Sequence, residues 1–260
     1  MERHAKIDSR EAGLRIGLLL GKHIFKTEDL HYGYWPADLE VDLRNLPEAQ
    51  ENHSAFIMSH IPDGVKTVLD VGCGVGNFAR KLIEKGYEVD GVSPSSMLAE
   101  HARARLGDAF HIFEDRYEDL ETDKTYDLVL FSESFQYVKL AAALDKAHAM
   151  LNPGGHLLIC DFFGTGAEGK SALKGGHMLS TFRGVMKDRP FEQVKDIDIT
   201  ERTAPNLDLV DEMLMQVGRP TWHTIIAMLE TRHPVIARIL DDYREQDIRR
   251  EKATSNICTN

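Results

Sequence analysis

The stretch Val68-Leu-Asp-Val-Gly-Cys-Gly-Val-Gly-Asn77 constrains this chain more than any other. Its first four residues are apolar except for Asp70, as suits a strand buried on both faces. Glycines then stand at Gly72, Gly74 and Gly76. Glycine adopts backbone conformations that other residues avoid, and it lets a ligand lie against bare peptide. Helix-period spacing over residues 78–85 follows, so a helix N-terminus faces the same space. Dinucleotide-binding loops space their glycines as G-x-G-x-x-G. Counted from Gly72 or Gly74, the last of these falls on Asn77 or Ala79, so that fingerprint is broken.

Around this unit, short β-branched runs alternate with longer helical ones. Strands are predicted over residues 67–71, 88–92, 109–113, 126–131 and 156–162, and helices over 78–85, 95–106 and 140–151. Such alternation implies right-handed crossovers and a parallel sheet covered on both faces. Ligands then bind beyond the carboxyl ends of the strands, where strand order reverses. Upstream, residues 11–25 and 47–61 read as helices on either side of a break at His31-Tyr-Gly-Tyr-Trp-Pro36. Downstream, residues 164–176 read as a loop or lid, 194–200 as a sixth strand, and 207–217, 221–232 and 235–250 as helices. No final strand is legible in 251–260, so the end of the sheet reads as shortened or as covered by a second copy. The expected organisation is an N-terminal helical segment (1–62), a ligand-binding core (63–163), and a lid, sixth strand and helical specificity region (164–260).

The chain has 31 Lys and Arg against 42 Asp and Glu, a formal net charge of −11. Nucleic-acid binding draws most of its affinity from cations meeting phosphates, so no nucleic-acid partner is expected. The three cysteines, Cys73, Cys160 and Cys258, fit neither a disulfide framework nor a zinc spacing. No apolar run approaches the roughly 20 residues of a membrane span. A cytoplasmic monomer or homodimer is the expectation.

The intact D-x-G-x-G-x-G over Asp70–Gly76 resembles motif I of class I S-adenosylmethionine-dependent methyltransferases, in the small-molecule branch. The resemblance spans about residues 65–163. It implies a three-layer Rossmann-like parallel sheet, with N-terminal helices and a helical substrate cap after strand 5. It also implies S-adenosyl-L-methionine as cofactor and S-adenosyl-L-homocysteine as product. Gly72, Cys73, Gly74 and Gly76 would then face the methionine part of the cofactor, with Asp70 shaping the loop. Gly91-Val-Ser-Pro-Ser-Ser-Met-Leu98 resembles the family's G-V-D-x-S-x-x-M-L, but Ser93 stands where relatives carry the acid that grips the ribose. Asp90 either substitutes for that acid or is paired within the strand. Met97 either packs beside the adenosine or lies in the core. After the third strand, Asp115 would accept from the adenine amino group, with Arg116 and Tyr117 lining the base. Ser132, in the segment running to Tyr137, and Leu151-Asn-Pro-Gly-Gly-His156 match the fourth strand end and the turn before the fifth. His31-Tyr-Gly-Tyr-Trp35 resembles an element that closes over the cofactor, through Tyr32, Tyr34 and Trp35. The alternative is that these rings pin the N-terminal helices to the core.

The chemistry implied is in-line transfer of a methyl group, aided by a base where the acceptor is weakly acidic. Glu133, Tyr137 and His177 are the catalytic candidates. Asp161 is a further one, unless it caps local backbone. His53 and His60 share a helix face without a partner motif, so no metal is expected. Ser132-Glu-Ser-Phe135 replaces the asparagine-proline-proline-aromatic motif of amino-methylating nucleic-acid enzymes, which favours a small-molecule acceptor. Met178, Phe182, Met213, Met215, Trp222 and Met228 suit an apolar pocket, hence a lipid, isoprenoid, polyketide or aromatic metabolite; helix core is their other use. A cofactor-binding module serving a partner enzyme is the alternative function.

Overall fold

In the computed structural model, residues 9–166 and 176–232 are described. The predicted strands form one parallel sheet of β1 (Thr67–Val71), β2 (Glu88–Val92), β3 (His111–Phe113), β4 (Tyr126–Ser132) and β5 (Leu151–Cys160). Their order is β3-β2-β1-β4-β5, and every adjacent pair runs parallel. Strand order reverses between β1 and β4, which leaves a crevice above their ends. Register keeps those ends level, with Val71 opposite both Val92 and Phe131.

Side chains alternate across the sheet, as strand geometry requires. Val68, Leu128 and Leu130 point to one face, where Phe78, Ala79 and Leu82 of α3 (Asn77–Glu84) and Ala99 and Ala102 of α4 (Ser96–Leu106) cover them. Ile57 of α2 (Leu46–Met58) packs there too. Leu69, Val71, Val129 and Phe131 point to the other face, against Ala143, Leu144 and Ala147 of α5 (Leu140–Met150). Phe182 of α6 (Leu179–Met186) packs on that second cluster. The result is the three-layer arrangement expected. At the N-terminus, α1 (Ser9–Leu20) runs into a π-helical turn over Gly21–Phe25, and the helix ends at Lys26, left-handed at φ 59°.

Several details differ from the expectation. Pairing on β5 begins at Leu151, opposite Tyr126, and resumes with His156 opposite Leu128. Pro153-Gly154-Gly155 is therefore an irregularity inside the strand, not a turn before it. Asn152 fastens it by donating to Asp127 Oδ1 at 2.8 Å. Two-residue strands β6 (Phe163–Gly164) and β7 (His177–Met178) pair with each other, so the ends of the expected lid are tied together. Its middle, residues 167–175, lies outside the described residues, as do the expected helix over 235–250 and the tail.

The sixth strand expected over 194–200 is absent. Val194 is 77% exposed and Ile197 is also exposed; in a strand the two would fall on opposite faces, Val194 beside Asp196 and Ile197 beside Lys195, so neither is a clean apolar face to bury. Asp198 instead accepts from the Thr200 amide at 2.9 Å and starts a helical turn, α7 (Thr200–Thr203). A separate compact unit begins at Ala204. It contains α8 (Pro205–Met213) and α9 (Arg219–Arg232), joined by a π-helical turn over Leu214–Gly218. Met215, Trp222 and Met228 are exposed and belong to no buried core cluster among the described residues.

Gly91 shows how tightly the sheet meets its covering elements. A Cβ on it would lie 2.3 Å from Phe110 Cζ and 2.8 Å from Cys73 Sγ. Its backbone is ordinary, so the need is for space. Overpacking of this kind costs roughly 1–3 kcal/mol. Gly91→Ala is therefore expected to lower unfolding stability by about that amount in urea titration, and an unchanged midpoint would contradict the packing described.

Candidate functional site

A cavity of about 970 Å³ opens at the carboxyl ends of the strands. Its floor is the turn after β1. The Gly72 amide donates to Val92 O at 2.8 Å, which folds the turn over β2. Gly72 has φ 82°, and a Cβ there would lie 2.4 Å from that of Ser134, so a side chain is excluded twice over. Gly74, at φ 57°, has open space where a Cβ would stand and presents bare peptide to the cavity. Gly76 lies outside the lining, and its hydrogen stands against Ala102 and Leu106, letting α3 begin beside α4.

Beneath the turn, Asp70 is 2% exposed, and its Oδ2 has no hydrogen-bond partner among the described residues. Burial raises its carboxyl to about 7. An unpaired buried acceptor costs roughly 1–3 kcal/mol, a cost that a donor on a ligand would offset. A ligand bringing N–H donors to a bare-peptide cradle fits these groups. Cys73 also lines the cavity, its thiol pushed well up by burial and so held protonated.

At the second strand end, Ser93 and Ser95 line the cavity. Asp90 lies away from it and accepts from Lys124 Nζ and from Tyr126 Oη, each at 2.7 Å. Of the two readings of Asp90, the paired one holds. Met97 packs with Leu18, Val75 and Leu98 and is outside the lining, which is its core reading. Arg116 and Tyr117 line the cavity, whereas Asp115 is exposed and outside it. The backbone beyond β3 turns Tyr117 inward, edge-on to Phe131 at 5.2 Å.

The end of β4 carries a strongly perturbed carboxyl. Ser132, Glu133 and Tyr137 all line the cavity. Glu133 holds φ 54°, a conformation costing roughly 1–3 kcal/mol away from glycine, and such outliers cluster at active sites. Its amide donates to Cys160 O at 2.8 Å, and its carboxylate oxygens accept from the Tyr32 amide at 3.0 and 3.1 Å. Behind it, His53 Nε2 lies 3.6 Å from Oε1, and the His31 ring stacks on His53 at 4.9 Å. Burial raises the Glu133 carboxyl to about 8, helped by Asp161, and lowers His53 to about 3. Between these two, the proton rests on the carboxyl.

The other catalytic candidates fall differently. Asp161 accepts from the Gln136 and Phe162 amides at 3.0 and 2.7 Å, the backbone-capping alternative. His177 lies outside the lining, with Nε2 3.1 Å from Phe135 O and its ring edge-on to Phe135. Of the aromatic element, Tyr32 lines the cavity and meets Phe162 edge-on at 5.1 Å. Tyr34 stacks on Phe56, and Trp35 is buried with its amide donating to Arg202 O at 2.8 Å; both pin the N-terminal segment.

His31, His53 and Glu133 offer ligand atoms within 4.8 Å of one another, a grouping that the spacing around His53 did not reveal. Two imidazoles and a carboxylate are a set that suits a transition metal. Here the Lys81 charge bears on both imidazoles, and both carboxylate oxygens already take the Tyr32 amide. The arrangement is better suited to holding a proton than a cation. His60, in contrast, bonds Phe56 O at 2.8 Å.

A parallel sheet of this order, with a glycine turn and buried acid at its switch point, defines the Rossmann-like class of ligand-binding domains. Residues 44–196, more than half of the chain, match the methyltransferase domain family, and the chain belongs to it. An uncharacterised methyltransferase of Mycobacterium tuberculosis is 30% identical over 97 residues, which is 37% of this chain. The match covers only 40% of that relative's length. The methyltransferase GfsG of Streptomyces halstedii is 28% identical over 74% of this chain and 77% of its own. Among solved structures, geranyl diphosphate C-methyltransferase of Streptomyces coelicolor has a TM-score of 0.64 at 21% identity, over 75% of this chain and 81% of its own. The [4+2]-cyclase SpnF has a TM-score of 0.66 at 20% identity, over 88% and 86%. At these identities the two structures establish the fold.

Glu133 gives the site a measurable signature. Its carboxyl moves from 4.5 to about 8 on folding. Between those values the folded chain holds a proton that the unfolded chain has released. Its stabilising contribution is thus complete below the lower value and lost as pH rises through the upper one. Glu133→Gln removes that dependence. The variant should gain unfolding stability relative to the parent as pH rises between the two values, read from urea midpoints. A difference that does not vary with pH would show that Glu133 titrates normally.

Proposed function

We propose that this chain is an S-adenosylmethionine-dependent methyltransferase acting on a small-molecule acceptor with apolar surface. The observation that carries this reading is the unpaired Asp70 carboxyl beneath the bare peptide of Gly72–Gly74, opening on a cavity of about 970 Å³. Pockets of roughly 300–1,000 Å³ hold ligands of drug size, so a nucleoside amino acid and a modest acceptor fit together. Asp70 and the turn would hold the amino-acid end, and Arg116 and Tyr117 would flank the base. The cofactor supplies a methyl group on a sulfonium, so the protein has to align the acceptor, exclude water and take a proton.

Glu133 suits the last task. A general base works best when its pKa lies near the operating pH, and burial has brought this carboxyl there. The Tyr32 amide fixes its direction, and His53, kept neutral by burial, backs it at 3.6 Å. Phe162, Phe163, Val138 and Tyr137 add apolar surface to the cavity wall. That wall, together with the geranyl diphosphate acceptor of one structural relative, supports an isoprenoid, lipid, polyketide or aromatic acceptor. The N-terminal segment, through α1 and His31-Tyr32, closes one side. The negative net charge supports a partner other than nucleic acid, and among the described residues no helix is long and apolar enough to cross a membrane. We assign the chain to the cytoplasm as a monomer or homodimer.

A cyclase shares the fold, so binding alone does not establish transfer. Calorimetry with S-adenosylhomocysteine, followed by turnover of S-adenosylmethionine with panels of apolar acceptors, tests both levels. Binding without product in any panel would favour a cofactor-binding module. The base assignment adds a pH dependence. Activity requires Glu133 unprotonated, so kcat/KM should rise with pH through about 8. Glu133→Gln should flatten that limb and lower kcat by roughly 10²–10⁴-fold. An unaltered profile in the variant would place the base elsewhere.

A further inference from the structure

The end of β2 lacks the acid expected to grip a ribose, and a serine already engaged with its own turn stands in its place. Ser93 is buried, and its Oγ already accepts from the Ser95 amide at 3.3 Å. A single hydroxyl also forms weaker bonds to a diol than a carboxylate, which accepts two charge-assisted ones. We propose that Glu11, on α1, is the acid that receives the ribose hydroxyls. This assignment rests on the S-adenosylmethionine reading of the site.

Three observations converge on Glu11. It lines the cavity together with Ser93, Pro94 and Ser95. Ser95 Oγ donates to Glu11 Oε1 at 2.9 Å, which aims the carboxylate at the β2 end. The other oxygen, Oε2, has no protein partner among the described residues. The helix period explains how an acid so distant in sequence arrives there. Glu11, Leu14 and Leu18 lie at i, i+3 and i+7, on one face of α1. Leu14 and Leu18 pack against Val75 of the glycine turn and against Met97 and Leu98 of α4. The apolar anchors thus place the carboxylate one turn further along, above Ser95.

Most neighbouring acids have partners of their own, Glu118 accepting from the Lys139 amide at 2.8 Å. Glu28 pairs with Lys22 at 3.0 Å and also with Arg105. Asp29 faces His31 at 3.8 Å, Glu114 pairs with Arg103, and Asp90 is bonded to Lys124 and Tyr126. Glu11 holds an acceptor free on the wall where the ribose would lie. A consequence follows: nucleoside binding and docking of α1 become one event, because the carboxylate reaches the ribose only while Leu14 and Leu18 are seated.

The test is calorimetric titration of the full chain with S-adenosylhomocysteine and with its analogue lacking both ribose hydroxyls. Glu11→Gln should weaken S-adenosylhomocysteine roughly 10- to 100-fold, the range for a hydrogen bond to a charged group. The thermal midpoint without ligand should stay unchanged. On the dihydroxy-lacking analogue, parent and variant should bind alike. Adding Ser93→Asp to Glu11→Gln should recover part of the loss. Ligand should slow amide exchange across α1 in the parent but not in the variant. Parent-like binding of S-adenosylhomocysteine by Glu11→Gln, or an equal loss on both ligands, would overturn this assignment alone. Failure of the parent to bind S-adenosylhomocysteine would overturn the functional reading and this one together.

Discussion

Two carboxyls taken out of water at the ends of neighbouring strands set the terms for the rest of the site. Asp70 is the penultimate residue of β1, and Glu133 follows β4. Parallel register keeps these ends level, so both groups border one crevice. Desolvation pushes both upward, to about 7 and about 8. Their partners differ. Asp70 keeps an unpaired oxygen toward the glycine turn, whereas Glu133 is gripped by the Tyr32 amide and backed by His53. In the proposed function the first group receives a ligand and the second exchanges a proton.

The N-terminal segment does more than cover the sheet. Its backbone supplies the amide that fixes Glu133, and Gly33 allows this by lying against Ala49, where a Cβ would come within 2.5 Å of the Ala49 Cβ. Gln50 ties the same stretch down by donating to Asp29 O and His31 O at 3.2 and 2.6 Å. The division of labour in His31-Tyr-Gly-Tyr-Trp35 follows from this anchoring. Tyr34 and Trp35 are structural, Tyr32 faces the cavity, and His31 joins the imidazole pair.

The sheet was legible in the sequence because its signals are local and redundant. β-branched runs, glycine turns and helical spacings recur in register with the crossovers, and each face alternates as burial requires. The cavity floor was legible for the same reason, since Asp70 and the three glycines sit within seven residues. What local signals could not reveal was pairing across long separations. His53 reads as one more buried position on α2, and only the fold brings it to Glu133, 80 residues later. Glu11 is similarly silent: it is the lone acid of α1, and nothing local ties it to the end of β2, more than 80 residues later. The expected sixth strand failed for a different reason. Val194 and Ile197 are three apart, so in a strand they fall on opposite faces, and Asp198 had a better use as a helix cap.

Separating the acid from β2 changes how the site is held together. When an acid stands on a strand of the central sheet, it is present whether or not the covering elements are docked. An acid on a surface helix contributes only in the docked state, so the ligand's affinity is reduced by whatever fraction of molecules have that helix undocked. In exchange, the ligand stabilises the docked state by the same differential free energy, and water is excluded only once the nucleoside is in place. α1 is suited to this: its anchoring cluster is small, while Ile16 and Leu19 on its outer side remain exposed. With such a marginal apolar grip, a carboxylate satisfied by the ligand can decide whether the helix is seated. The same reasoning accounts for Ser93. With the charge supplied from above, a second carboxylate at the β2 end would repel it, and a small hydroxyl that closes its own turn is the compatible residue.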